Sequence, residues 1–176
     1  MEEKIIIAGF GGQGVLSLGQ FIAYAAIADS KEVTWLPSYG PEMRGGTSNC
    51  SVVVSDEHVA SPIIASPDYL IAMNKPSLYK FQDNVKAGGT IFINSSLIPD
   101  KVERTDVNVH YIDAAALAQE AGNARTANIV ILGAYIKASG IFALDLVAKM
   151  IESKFAAKPK VIPANIKALE LGYNAI

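Results

Sequence analysis

A chain of 176 residues fits one domain better than two, and with 51% hydrophobic residues it can bury a core without disulfide or metal staples. Charged residues make up only 18%, scattered to a net charge of -2, which excludes the clustered basic face that nucleic-acid binding requires. No apolar run reaches the ~18 residues that would span a bilayer, so the surplus apolar surface predicts an oligomer (a homodimer when isolated) or a subunit of a complex.

Cys50 is the only cysteine, which rules out an internal disulfide and cannot alone hold an iron–sulfur cluster. Met1-Glu2-Glu3-Lys4 leads straight into a strand with no basic, apolar signal segment, so the expected compartment is the cytoplasm.

Lys4 to Ala8 is a β-branched run ending at glycine and reads as a buried first strand. Val15 to Ala28 is apolar around most of its circumference, with small residues at Gly19, Ala23, Ala25 and Ala26, which suits a helix packed closely on a sheet. Val33 to Leu36 reads as a second strand stopped by Pro37, and Thr47 to Ser55 as a third after a glycine- and proline-punctuated loop. Strands follow at Asp68 to Met73, Thr90 to Asn94 and Val107 to Ile112, with helices over Pro76 to Val85 and Ala114 to Ala121. The rest is helical: Ala127 to Ser139, the amphipathic Leu144 to Phe155, and Ala164 to Leu171 after Pro163. This alternation predicts a single Rossmann-like α/β domain, with a mainly parallel sheet, helices on both faces and a helical C-terminal part. The loop before Thr47 predicts that its strand adds an antiparallel element.

Gly9, Gly11 and Gly14, with Gly12 and Gln13 between them, match G-x-G-x-x-G at a strand–turn–helix junction. A dinucleotide fingerprint also needs an acid at the end of the second strand to hold the ribose. Here that strand ends Trp35-Leu36-Pro37-Ser38, and Asp29 and Glu32 both precede it. Three readings of the turn stay open: a variant NAD site, approach to a phosphate or other anion, or close packing of the first helix on the sheet or on a neighbouring chain.

Ser38, Tyr39, Gly40, Pro41, Glu42, Met43, Arg44, Gly45, Gly46 and Thr47 form the more distinctive segment. It leaves the carboxyl end of the second strand, the edge where the glycine turn lies. Glu42 and Arg44 either pair with each other or cap a turn, or Arg44 holds a substrate or cofactor anion or a partner's carboxylate. His58 and His110 lack nearby ligand partners and read as surface or satisfied histidines, and Cys50 as a small buried side chain. No nucleophilic elbow, metal cluster or paired carboxylates occur.

The segments G-F-G-G-Q-G-V (Gly9 to Val15) and P-S-Y-G-P-E-M-R-G-G-T (Pro37 to Thr47) together resemble the γ subunit of 2-oxoacid:ferredoxin (acceptor) oxidoreductases. The similarity continues through Asn49 to Val52, Ser61-Pro62, Pro67-Asp68, Ala72 to Asn74 and Asn128 to Gly133. It implies a complex that oxidatively decarboxylates a 2-oxoacid, transfers the acyl group to coenzyme A and passes electrons to ferredoxin. Thiamine diphosphate, Mg²⁺ and iron–sulfur clusters would belong to the companion α, β and ferredoxin-like δ subunits, with no cofactor in this chain. The second loop looks more like the 2-oxoglutarate type than the pyruvate type. The resemblance further implies a non-catalytic, site-completing role: Gly11, Gly12 and Gln13 offer backbone and amide contacts, while Tyr39, Glu42 and Arg44 contact the partner or the phosphates of coenzyme A. A stand-alone dinucleotide- or coenzyme A-binding protein is the competing expectation.

Overall fold

The isoleucine run of the first strand is buried on both faces, which places it inside a sheet covered on two sides. In the computed structural model, which describes residues 1–40 and 46–176, this strand, β1 (Glu2–Phe10), is flanked by β3 (Thr47–Ser55) and β4 (Tyr69–Ala72). With β2 (Glu32–Tyr39), β5 (Thr90–Asn94) and β6 (Asn108–Ile112) the order is β2-β3-β1-β4-β5-β6. Only β3 runs against the others, as its loop connection predicted: it pairs antiparallel with β1 and β2, whereas β4, β5 and β6 continue from β1 in parallel. A short loop permits an antiparallel return, while a parallel one needs a crossover of a dozen or so residues.

Six helices are described: α1 (Val15–Ala28), α2 (Lys75–Phe81), α3 (Ala114–Glu120), α4 (Ala127–Ser139), α5 (Leu144–Lys154) and α6 (Ile162–Tyr173). Alternate strand residues sort the core in two. Ile5, Ile7, Val52, Val54, Ile71 and Phe92 meet α1 and α3 to α6, whereas Ile6, Ala8, Leu70, Ile91 and Ile93 meet Leu78 of α2, Val85 and Ile98. Helices thus cover both faces, unequally. None of the described helices is long and apolar enough to cross a membrane.

Several boundaries differ from expectation: β1 and α6 each run two residues further at both ends, and two others have a clear cause. The second strand does not stop before Pro37 but runs through it to Tyr39. β2 is an edge strand paired only with β3, and an edge leaves a row of N–H positions without partners, where proline is tolerated. The helix expected to reach Val85 ends at Phe81, and residues 82–84 tighten into a 3₁₀ turn.

Candidate functional site

The glycine turn divides its residues between packing and openness. A Cβ on Gly9 would lie 2.6 Å from Gln13 Oε1 and 2.8 Å from Met73 Cβ, so this glycine is required by close approach. Gly14 has φ +74 and sits against the Asn128 side chain, whose Nδ2 donates to the Gly14 carbonyl at 3.2 Å. Gly12, at φ +98, has the left-handed backbone that favours glycine, yet open space where a Cβ would stand. Close packing therefore accounts for Gly9 and Gly14, whereas Gly12 faces open space. The Gln13 amide turns inward: Oε1 accepts from the Phe10 N–H at 2.7 Å and Nε2 donates to the Met73 carbonyl at 3.1 Å. At the start of α1, no side chain caps the N-terminus and no acid occupies the first turn, leaving the positive end of the helix dipole unneutralised by the chain's own residues there.

The two described ends of the second loop lie beside this turn. Gly11 N–H donates to the Gly46 carbonyl at 2.9 Å, and Gly40 N–H to the Thr47 carbonyl at 3.0 Å. Phe10 stands opposite Thr47, and Tyr39 opposite Ser48. Gly9, Gly11, Gly12, Gln13 and Gly14 are therefore brought to one edge with Ser38, Gly40, Gly46 and the backbone of Tyr39. Pro41, Glu42, Arg44 and Gly45 lie outside the described residues.

Beneath the turn opens a cavity of about 360 Å³ between α1, the entry to α4, and the C-terminal part of α5 with the start of α6. Arg125, Lys154 and Lys158 line it together with Gly12, Gln13, Gly14 and Asn128. Arg125 is carried by a short 3₁₀ turn before α4, where Asn123 Oδ1 accepts its backbone N–H at 3.0 Å and the Thr126 hydroxyl donates to the Asn123 carbonyl at 2.7 Å. Lys154 extends over the Phe21 and Tyr24 rings and donates to Gln20 Oε1 at 3.1 Å. Sequence reasoning missed all three cations. Asn123-Ala-Arg-Thr, an Asn-capped entry to a helix, was the signal that points to Arg125, whereas Lys154 and Lys158 reach the cavity only through the packing of α5 on α1.

The remaining candidates are accounted for by packing. His110 stacks on Phe92 at 5.4 Å, and its burial pulls its pKa down. His58 is exposed. Cys50 is buried against Gly19 and Trp35, its S–H directed at the Val15 carbonyl, and burial pushes its pKa up to about 12. Among the described residues no three His, Cys, Asp or Glu side chains converge to hold a metal ion, and one thiol cannot supply the four ligands of an iron–sulfur cluster. The carboxyl end of β2 is Ser38-Tyr39, without the ribose-binding acid of a dinucleotide site.

Residues 4–175 match the family described as pyruvate ferredoxin/flavodoxin oxidoreductase. The ketoisovalerate oxidoreductase subunit VorA of Methanothermobacter thermautotrophicus is 43% identical over 97% of the chain, which spans only 36% of that relative's length. The 2-oxoglutarate synthase subunit KorC of Methanothermobacter marburgensis is 36% identical, with 100% of this chain and 97% of KorC aligned. A solved 2-oxoglutarate:ferredoxin oxidoreductase from Magnetococcus marinus, with 2-oxoglutarate, coenzyme A and succinyl-CoA bound, superimposes with a TM-score of 0.89 at 25% identity, over 99% of this chain and 31% of that one. The chain belongs to the pyruvate ferredoxin/flavodoxin oxidoreductase family.

Proposed function

We propose that the chain is the γ-type subunit of a 2-oxoacid:ferredoxin (acceptor) oxidoreductase, and that its glycine-turn edge holds the phosphates of coenzyme A. One observation carries the reading: the open backbone of Gly12 and the uncapped start of α1 border a cavity lined by Arg125, Lys154 and Lys158. Coenzyme A presents a diphosphate and a ribose phosphate, and such anions are stabilised by helix-start N–H groups, a guanidinium fork and ammonium charges. The coenzyme A and succinyl-CoA bound in the Magnetococcus marinus relative support carrying that ligand across. Tyr39, Glu42 and Arg44 are assigned to the same ligand or to the partner subunit.

In the assembled enzyme the 2-oxoacid loses its carboxylate as CO₂, and the acyl group forms a thioester with the coenzyme A sulfur. The thiol proton is released and the electron pair leaves to ferredoxin or a similar acceptor. Thiamine diphosphate with Mg²⁺ supplies the electron sink for decarboxylation when bound, and iron–sulfur clusters the electron path. Among the described residues no His, Cys, Asp or Glu group could hold Mg²⁺ or a cluster, and both cofactors are assigned to the α, β and ferredoxin-like δ subunits. What this chain contributes is binding and orientation of the acyl acceptor.

2-Oxoglutarate is the substrate we assign, supported by the near full-length match to KorC. The 43% identity with the ketoisovalerate subunit favours a branched 2-oxoacid as the second reading. Co-expression with the companion chains, followed by viologen reduction with each 2-oxoacid, tests both. Reduction should require coenzyme A and yield succinyl-CoA. Replacing Arg125 and Lys158 together by Ala should raise the KM for coenzyme A about tenfold, the equivalent of one lost charge-assisted contact, with the 2-oxoacid KM unchanged. Activity with neither 2-oxoacid, or an unchanged coenzyme A KM, rejects the reading. Coenzyme A binding by a native chain that purifies without companions would indicate the stand-alone alternative.

A further inference from the structure

We infer that Gln13 is a positioning residue: the residue borders the cavity, but its amide is engaged in the fork between β1 and β4 and so fixes the glycine turn around the polyanion instead of bonding it. The inference rests on the coenzyme A reading above. β1 and β4 stay in parallel register as far as Ala8 and Ala72, and Met73 N–H still donates to the Ala8 carbonyl at 2.8 Å. β4 ends there, while β1 continues two residues further to Phe10. The Phe10 N–H and the Met73 carbonyl therefore face a gap where no strand pairs them. The Gln13 side chain fills that gap, accepting from Phe10 at 2.7 Å and donating to Met73 at 3.1 Å. Its backbone N–H also donates to the Phe10 carbonyl at 3.2 Å, so one residue holds both backbone groups of Phe10.

A primary amide is what this gap needs, since it offers an acceptor and a donor side by side. A carboxylate would set lone pairs against the Met73 carbonyl. Gly9 completes the device, because a Cβ there would lie 2.6 Å from Gln13 Oε1. With the amide engaged in the fork, Gly12 is held at φ +98 facing open space.

Two readouts test the role together: hydrogen exchange at the Phe10 amide in the full chain, and the KM for coenzyme A in the assembled complex. Gln13→Glu should accelerate Phe10 exchange at least about tenfold and raise the coenzyme A KM about fivefold or more, with kcat at saturating coenzyme A within about twofold. Gln13→Ala removes both bonds without adding a charge and should give the same pattern, which keeps the test sharp if Gln13→Glu folds poorly. A raised KM with Phe10 protection intact would mean that Gln13 touches the ligand, and overturns the inference. So does an unchanged KM in both Gln13 variants when Arg125→Ala raises it. If Arg125→Ala also leaves the KM unchanged, the coenzyme A reading has failed and the inference falls with it.

Discussion

Glu3 carries its carboxyl into the edge of the sheet opposite the glycine turn, where the fully buried Tyr135 of α4 donates its hydroxyl to Glu3 Oε2 at 3.1 Å. Burial raises the Glu3 pKa from 4.5 to about 7, and the nearby Asp68 adds to the rise, while the Tyr135 bond and Lys31 oppose it. A raised carboxyl pKa means that the folded state binds a proton the unfolded chain has released. The stabilisation is therefore complete below pH 4.5 and is lost as pH rises towards 7. Asp56, Asp100, Asp106 and Asp113, whose pKa values are lowered from 3.8, act in the opposite direction and only at more acid pH. Thermal unfolding should accordingly show the Glu3 contribution as a Tm that falls between pH 5 and pH 7.5, by the equivalent of about 1–2 kcal/mol after allowing for solvent at the partly exposed carboxyl, offset in part by His110, whose lowered pKa adds stability as pH rises over the same range. Glu3→Gln should flatten that slope, and an unaltered slope would place the titration elsewhere. Cys50 offers a simpler check at the same scale. Its buried thiol, pushed up to about 12, should resist a thiol-specific disulfide reagent in the native chain and react only on unfolding.

Between elements, α4 and α6 approach each other closely. A Cβ on Gly172 would collide with the Val130 carbonyl, and one on Gly133 with the Leu169 carbonyl, so the two backbones touch where neither residue has a side chain. Gly172→Ala should therefore destabilise the chain by about 2 kcal/mol or more through overpacking, in spite of the better helix propensity of alanine. Denaturant unfolding with an unchanged midpoint would refute that. A second element-scale expectation concerns α3. Asp113 caps it, accepting from the Ala116 N–H at 3.1 Å and from the Ser96 hydroxyl at 2.7 Å, so Asp113→Ala should cost about 1 kcal/mol in the same assay. How far these elements were legible follows from what decides each. α1 and α4 were readable to the residue because an unbroken apolar composition, small side chains and the bounding Gly14 and Gly140 are local. The reach of β2 through Pro37 was not, because a proline is admitted by edge position, which depends on strand order. The site divides in the same way. The glycine turn announces itself in six consecutive residues. Lys154 and Lys158 arrive from about 140 residues further along, by the packing of α5 on α1, and leave no local signal. The inward use of the Gln13 amide depends on where β4 ends relative to β1, which is likewise a matter of topology.

At the scale of the whole molecule, the net charge is -2, so no general positive field draws in an anion. The cations around the glycine-turn cavity act locally against a weakly acidic background. None of the described residues pairs Arg125 or Lys158 with a carboxylate, and both side chains are exposed. Removing them should leave the fold intact, since exposed charges without close partners contribute little to stability. Their effect on a bound polyanion is screened by salt, because the Debye length shrinks from about 10 Å at 0.1 M to about 3 Å at 1 M. In the assembled complex, raising the ionic strength from about 0.05 M to about 0.5 M should therefore raise the coenzyme A KM of the native enzyme several-fold. The variant with both Arg125 and Lys158 replaced by Ala should start from a higher KM and respond less to salt, with its Tm within about 1 °C of the native chain's because neither side chain supports the core. Equal salt dependence in the two enzymes would show that the phosphates lie against other charges, and would move the anion site away from this edge.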